Sequence, residues 1–224
     1  QIGTQIFDVA VSPDGDTIAC CALDAGVYLV NRKTTETHVL RGHNNQVKRI
    51  AFAPNAPQLA SGDWNGGLRI WDLKNYTTVR QLPSHRGGVK ALTYSPDGKW
   101  LAAADGDKLF YLWDPSTGKQ IRRFEGHRGV VDTLAFSSDG DWIASGSRDK
   151  TVRLWSVNDG ALIAQLEGHQ EAVRSVALSH DRKILASAAD DGTIRLWDVA
   201  GESEARILRS HGAPWRSVAF SPDD

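Results

Sequence analysis

Between Glu125 and Val157 the chain reads EGHRGVVDTLAFSSDGDWIASGSRDKTVRLWSV. The stretch holds His127, Ser145, Asp149 and Trp155. Ser, His and Asp are the side chains of acyl transfer: the imidazole takes the hydroxyl proton and the carboxylate orients the imidazole. The same three groups can instead satisfy one another as a buried hydrogen-bond network that ties strands together. The number of copies separates the two readings. His43, His85, His127, His169 and His211, each preceded by Gly or Ser, recur every 42 residues, and Trp71, Trp113, Trp155 and Trp197 keep the same interval. His169, Ser187, Asp191 and Trp197 reproduce the internal spacing of the first set. Other copies are incomplete: His43, Ser61 and Trp71 come with Asn65 in place of the Asp, and His85, Asp107 and Trp113 with Ala103 in place of the Ser. A catalytic site is needed once, so a set that recurs and decays reads as structural.

A fixed period without insertions means one structural unit repeated along the chain. In VDTLAF (Val131–Phe136), Leu134 and Phe136 fall on one face and Val131, Thr133 and Ala135 on the other, the period of a strand. SSDG turns the chain, with Gly140 supplying a positive φ. WIASGS, TVRLWSV and ALIAQLE follow as three more strands, separated by the turns RDK and NDG. No segment has a sustained helical period. The unit is a four-stranded antiparallel sheet of the size that builds β-propeller blades.

Composition narrows the function classes. A net charge of -1 argues against a chain devoted to neutralising phosphates. The two cysteines, Cys20 and Cys21, are adjacent and would point to opposite faces of a strand, so no disulfide framework and no paired-Cys metal motif is expected. His38 and His180, outside the repeat register, show no metal-ligand spacing. No cofactor is expected. The absence of a long apolar run predicts no membrane span, and a reducing, intracellular setting is the favoured reading. The lack of Met, even at position 1, reads as a piece of a longer protein.

The Gly-His and Trp-Asp signatures at this period, Trp71-Asp72, Trp113-Asp114 and Trp197-Asp198 with Trp-Ser at Trp155, resemble those of the WD40-repeat family over the whole chain. The resemblance implies an all-β fold of WD40 β-propeller blades, with repeats near 1–42, 43–84, 85–126, 127–168 and 169–210 and the first strand of a sixth at 211–224, forming one partial domain and an incomplete ring. The first repeat is the outlier, with Gln1, Cys20 and Val30 at the His, Ser and Trp positions beside Asp24. The resemblance also implies that Asp149 accepts from one ring nitrogen of His127. The other nitrogen then faces the Ser145 hydroxyl, which meets the Trp155 indole; His169, Ser187, Asp191 and Trp197 are wired alike.

In that family three positions per repeat rim one face: three and five residues after the His, and just before the turn Asp. Carried over, they are Gln46, Gly88, Val130, Ala172 and Pro214; Lys48, Lys90, Asp132, Arg174 and Arg216; and Trp64, Gly106, Arg148 and Asp190. Lys48, Lys90, Arg148, Arg174 and Arg216 with Trp64 make a cationic rim carrying an aromatic of the kind enriched at binding hot spots. The expected function is a non-catalytic scaffold or sensory module that binds an acidic protein segment, or another domain of its parent chain, through this rim. A hydrolase and a nucleic-acid binder are the alternatives. The SPDG-type turns are similar to those of WD40 arrays in multidomain signalling proteins, bacterial ones included.

Overall fold

The computed structural model describes residues 5–83, 86–201, 203–209, 213–221 and 223–224. Gln1, His85 and His211 lie outside these residues. Every regular element described is a strand, and the strands form five four-stranded sheets in chain order. The first holds β1 (Ile6–Val11), β2 (Thr17–Ala22), β3 (Val27–Asn31) and β4 (Thr37–Leu40), and the second β5 (Val47–Phe52), β6 (Gln58–Asp63), β7 (Leu68–Asp72) and β8 (Thr77–Leu82). The third holds β9 (Ala91–Tyr94), β10 (Leu101–Ala104), β11 (Phe110–Trp113) and β12 (Gln120–Phe124). The fourth holds β13 (Val131–Phe136), β14 (Trp142–Ser147), β15 (Val152–Ser156) and β16 (Leu162–Leu166), and the fifth β17 (Val173–Leu178), β18 (Ile184–Ala189), β19 (Thr193–Asp198) and β20 (Ser203–Arg209).

Turn chemistry sets these hairpins. In the β13–β14 turn Gly140 takes φ 79°, and Ser137 Oγ donates to Asp139 while accepting from the Trp142 N–H. The same Ser–Asp clasp closes the β17–β18 turn through Ser179 and Asp181. The turn therefore fixes the register of the two strands it joins.

The chain forms two compact units, residues 1–106 with 112–121, and 107–111 with 122–224. In the first unit β5 packs beside β1 and β9, and Val47, Ile50, Leu59 and Trp71 of the second sheet join Cys21, Val27 and Leu40 of the first in one core. In the second unit β17 packs on β13 and β14, and Val173, Val176 and Leu185 close over Ala144, Val152 and Leu154. Small residues on β14 permit this approach: a Cβ on Gly146 would stand 2.6 Å from Val173 Cγ1. Cys20 and Cys21 are free and buried.

One strand detail departs from the simple alternation read in VDTLAF. The pairing of β13 with β14 slips between Val131 and Thr133, so Val131 is buried along with Leu134 instead of facing away from it. The slip is a β-bulge, in which an extra residue leaves the ladder and the local twist increases. Similar slips fall between Ile6 and Asp8, Val47 and Arg49, and Val173 and Ser175.

Candidate functional site

Two constellations stand out, one buried and one at the loop rim. In the fourth repeat His127 Nδ1 lies 2.8 Å from Asp149 Oδ2, His127 Nε2 2.8 Å from Ser145 Oγ, and the Trp155 indole N–H donates to that same Oγ at 2.8 Å. In the fifth, the distances for His169, Asp191, Ser187 and Trp197 are 3.0, 2.7 and 2.8 Å. The partners assign the protons. A carboxylate only accepts, so Nδ1 carries the imidazole proton; an indole only donates, so the Ser oxygen accepts from Trp and gives its own proton to Nε2. The backbone N–H of Arg128 and the hydroxyl of Thr151 complete the shell around Asp149. Burial works to raise the Asp149 pKa, but the bonds from His127, Thr151 and Arg128 outweigh it and hold the carboxyl below its usual range. Asp191, opposed by burial and held by Thr193, Gln170 and His169, is lowered to about 2. Burial also lowers the His169 pKa, against the pull of Asp191.

The second repeat corrects the expectation drawn from Asn65. Its carboxylate comes from Asp63, two residues earlier: His43 Nδ1 lies 2.8 Å from Asp63 Oδ2, His43 Nε2 2.6 Å from Ser61 Oγ, and the Trp71 N–H 2.7 Å from that Oγ. Asn65 instead donates its backbone N–H to Asp63 Oδ1, as does Gly67. Glycine at 67 makes the arrangement fit, because a Cβ there would stand 2.6 Å from Asp63 Oδ2. In the third repeat the fully buried Asp105 stands at the position equivalent to Asp63, and Ala103 occupies the Ser position.

At the rim of the second, fourth and fifth repeats, one backbone hydrogen bond joins two of the three positions. The N–H of Trp64 donates to the Gln46 carbonyl, Arg148 to Val130, and Asp190 to Ala172, all at 2.9 Å. The third position is the bulge residue itself: Lys48, Asp132 and Arg174 each occupy the slip in the strand register. A bulge takes a residue out of the ladder and re-aims its side chain. By the same two criteria the first repeat has a ridge that sequence reasoning missed. Leu23 donates to the Gln5 carbonyl, and Phe7 fills the β1 bulge. These residues precede Gln46, Lys48 and Trp64 by 41 rather than 42 positions, an offset already visible between Cys20 and Ser61.

The two units carry rims of different chemistry. In the first, Trp64 is 50% exposed and Leu23 44% exposed. The Lys48 ammonium lies 3.1 Å from the Phe7 ring centroid and 4.8 Å from that of Trp64, and the Lys90 ammonium lies 4.5 Å from Trp64. Burial and then the nearby Lys90 charge lower the Lys48 pKa. Gly88 lets the Trp64 loop close in, since a Cβ there would meet the Trp64 carbonyl at 2.6 Å. In the second unit the arginines alternate with acids. Arg148 pairs with Asp132 at 2.9 Å, Arg174 with Asp132 at 2.6 Å and with Asp190 at 2.5 Å, and Arg216 with Asp190 at 3.5 Å. Asp132, which reads in sequence as a break in a positive run, is a shared partner of two arginines. The positive field expected of these arginines is therefore largely neutralised.

Of the histidines outside the register, His38 stacks on Tyr76 with ring centroids 3.9 Å apart, and His180 pairs with Asp224 at 3.1 Å. No helix is long and apolar enough to cross a membrane among the described residues.

Comparison with known proteins agrees with this architecture. A match of 35% identity over 80 residues, 35% of this chain and 9% of the relative, is to periodic tryptophan protein 2 homolog of Dictyostelium discoideum. The protein of that name from Neurospora crassa is 33% identical over 75 residues, 33% of this chain and 8% of its own. Human THO complex subunit 6 is 27% identical over 79 residues, 35% of this chain and 23% of its own. The aligned region thus spans a small part of each relative. The family model described as WD domain, G-beta repeat matches residues 3–31, 34–72, 76–114, 118–156 and 160–198, the last four matches each ending one residue after the buried Trp71, Trp113, Trp155 and Trp197, and the chain belongs to this WD40 family.

Proposed function

We propose that this chain is a non-catalytic interaction module of an intracellular multiprotein assembly, and that its partner contacts the rim of the first unit through Lys48, Trp64 and Lys90, the arginines Arg148, Arg174 and Arg216 of the second being paired with Asp132 and Asp190. The observation that carries the reading is the ridge of the second repeat: a bulge at Lys48 and the cross-loop bond from Trp64 to Gln46 set these rim residues on a rigid sheet, where loops are free to specialise. The half-exposed Trp64, flanked by two ammonium groups, supports an acidic partner segment. A relative named as a subunit of a complex fits the same reading. The hydrolase alternative is opposed by burial. Ser61, Ser145 and Ser187 have the bonding pattern of a nucleophile, yet each has no exposed surface and its oxygen is occupied by an indole N–H.

The test compares binding of a purified acidic partner segment to Trp64→Ala, Lys90→Glu and, on the opposite rim beside Trp100, Lys99→Glu. Trp64→Ala is expected to weaken binding by about 2 kcal/mol or more, the usual weight of a buried aromatic anchor. Lys90→Glu should slow association and flatten the salt dependence. Loss of binding in Lys99→Glu alone would place the partner on the other face.

A further inference from the structure

A third constellation lies within the second unit, beside the turn that carries Arg148. A cleft of about 470 Å³ opens beside the β14–β15 turn, bounded by β15, β16 and the loop that leads to His169. Arg128, Lys150 and Arg153 line it. Arg153 is only 8% exposed; its Nε has no partner, and its guanidinium is held over the Trp155 ring, 5.9 Å from the centroid. Neither Arg128 nor Arg153 has an ion pair among the described residues. The two carboxylates of the lining are already engaged: Asp149 accepts from His127, Thr151 and the Arg128 N–H, and Glu167 accepts from Gln165. The Lys150 ammonium donates to the Gln170 carbonyl and reaches Glu171 only at 3.8 Å.

The combination is specific to the fourth repeat. At the three cation positions the second repeat has Asn44, Gly66 and Arg69, the third Arg86, Lys108 and Tyr111, and the fifth Gln170, Gly192 and Arg195. The guanidinium stacked on the indole recurs at Arg69 and Arg195 and so belongs to the repeat architecture. The added Arg and Lys at the mouth do not.

We propose that this cleft binds a phosphate group. A buried guanidinium without a counter-charge is costly to maintain, and an oxyanion supplies both the charge and acceptors for its donors. Two planar forks and an ammonium offer more donors than a carboxylate can accept and suit the oxygens of a dianion. The stack on Trp155 holds one fork in place before the ligand arrives, which reduces the ordering cost of binding. The volume exceeds that of a bare ion, so the group fits as a monoester on a protein segment whose chain continues out of the cleft. None of the six rim side chains lines the cleft, so its test is independent of the rim reading.

Titration calorimetry of the whole chain with inorganic phosphate, with a phosphoserine peptide and with its unphosphorylated form tests this, with acetate as the monoanion control. One saturable site is expected for phosphate, with tighter binding of the phosphopeptide and no binding of its unphosphorylated form. Arg128→Ala and Lys150→Ala, both at the open mouth, should each weaken binding about tenfold, the weight of one charge-assisted contact. Arg153→Lys keeps the charge but removes the fork and should weaken it comparably. A phosphate-dependent rise in the thermal midpoint, present in wild type and absent in the Arg128→Ala/Lys150→Ala double variant, reads the same site without calorimetry. Tighter binding of free phosphate than of the phosphopeptide would overturn the monoester assignment. No saturable binding at ~10 mM phosphate, equal heats with acetate, or binding that survives in the double variant would overturn the site.

Discussion

Asp63 and Asp149 accept the same hydrogen bond from the same histidine nitrogen at positions two residues apart in the repeat. Each choice dictates a neighbour. Asp149 is backed by the Thr151 hydroxyl, whereas Asp63 lies where a side chain at residue 67 would have to be. Gly67→Thr alone should therefore destabilise the fold, by about 1–3 kcal/mol for a forced contact. Adding Asp63→Ser and Asn65→Asp, which rebuilds the fourth repeat's arrangement, should recover most of that loss in urea unfolding. If the triple variant is no more stable than the single, the two networks are not interchangeable. The protonation states add a pH signature. The depressed carboxyls Asp63, Asp149 and Asp191 contribute stability that is present above an unfolded pKa of about 4 and is lost as pH falls through their folded values. His169 is kept neutral by burial, so below about 6.5 the unfolded chain takes up its proton first and stability falls with pH down to the lowered folded value. Both slopes have one sign. The urea midpoint should fall in two steps on acidification, and His169→Asn should remove the upper one.

At the scale of the strand, the decisive features are bulges and close approaches, and these mark the boundary of what the residues alone revealed. Hairpins, turns and the 42-residue unit were legible because alternation and turn residues are local signals. The indole–hydroxyl–imidazole chain was legible in the two complete repeats through the family resemblance. A bulge is a relation between two strands, so nothing in VDTLAF by itself announces that Asp132 leaves the ladder. For the same reason the first repeat's ridge, Phe7 and Leu23, was hidden by counting from position 1 in steps of 42 instead of following the register back from Cys20. Pairing of Arg148 and Arg174 by Asp132 was hidden too, because the three come from β13, the β14–β15 turn and β17. Packing at this scale is tight where β14 meets β17. Gly146→Val would drive side-chain atoms into Val173 and Thr133, and should cost on the order of 1–3 kcal/mol by overpacking in equilibrium unfolding. Unchanged stability would mean that β17 moves aside freely.

Across the whole molecule, two compact units with separate cores imply that damage stays local. In repeat architectures each sheet leans chiefly on its neighbours. Asp149→Ala leaves the His127 donor buried without its acceptor, a loss of about 1–3 kcal/mol. Hydrogen exchange should accelerate first at amides of β13 to β20, while those of β1 to β8 keep their protection. His127→Ala acts on the same network, so the double variant should cost less than the sum of the singles. Uniform loss of protection along the chain would show that the units unfold as one.

The adjacent buried pair on β2 has a practical consequence. Cys20 and Cys21 are the chain's two thiols, both enclosed in the first sheet, and burial pushes Cys21 up to about 12. Only a thiolate attacks an alkylating reagent, and a freed cysteine ionises near its ordinary value of about 8.5. Alkylation can then proceed only through molecules in which β2 has come open. Its rate, followed by mass, is a clock for the breathing of that one sheet, already fitted to the native chain without any engineered label.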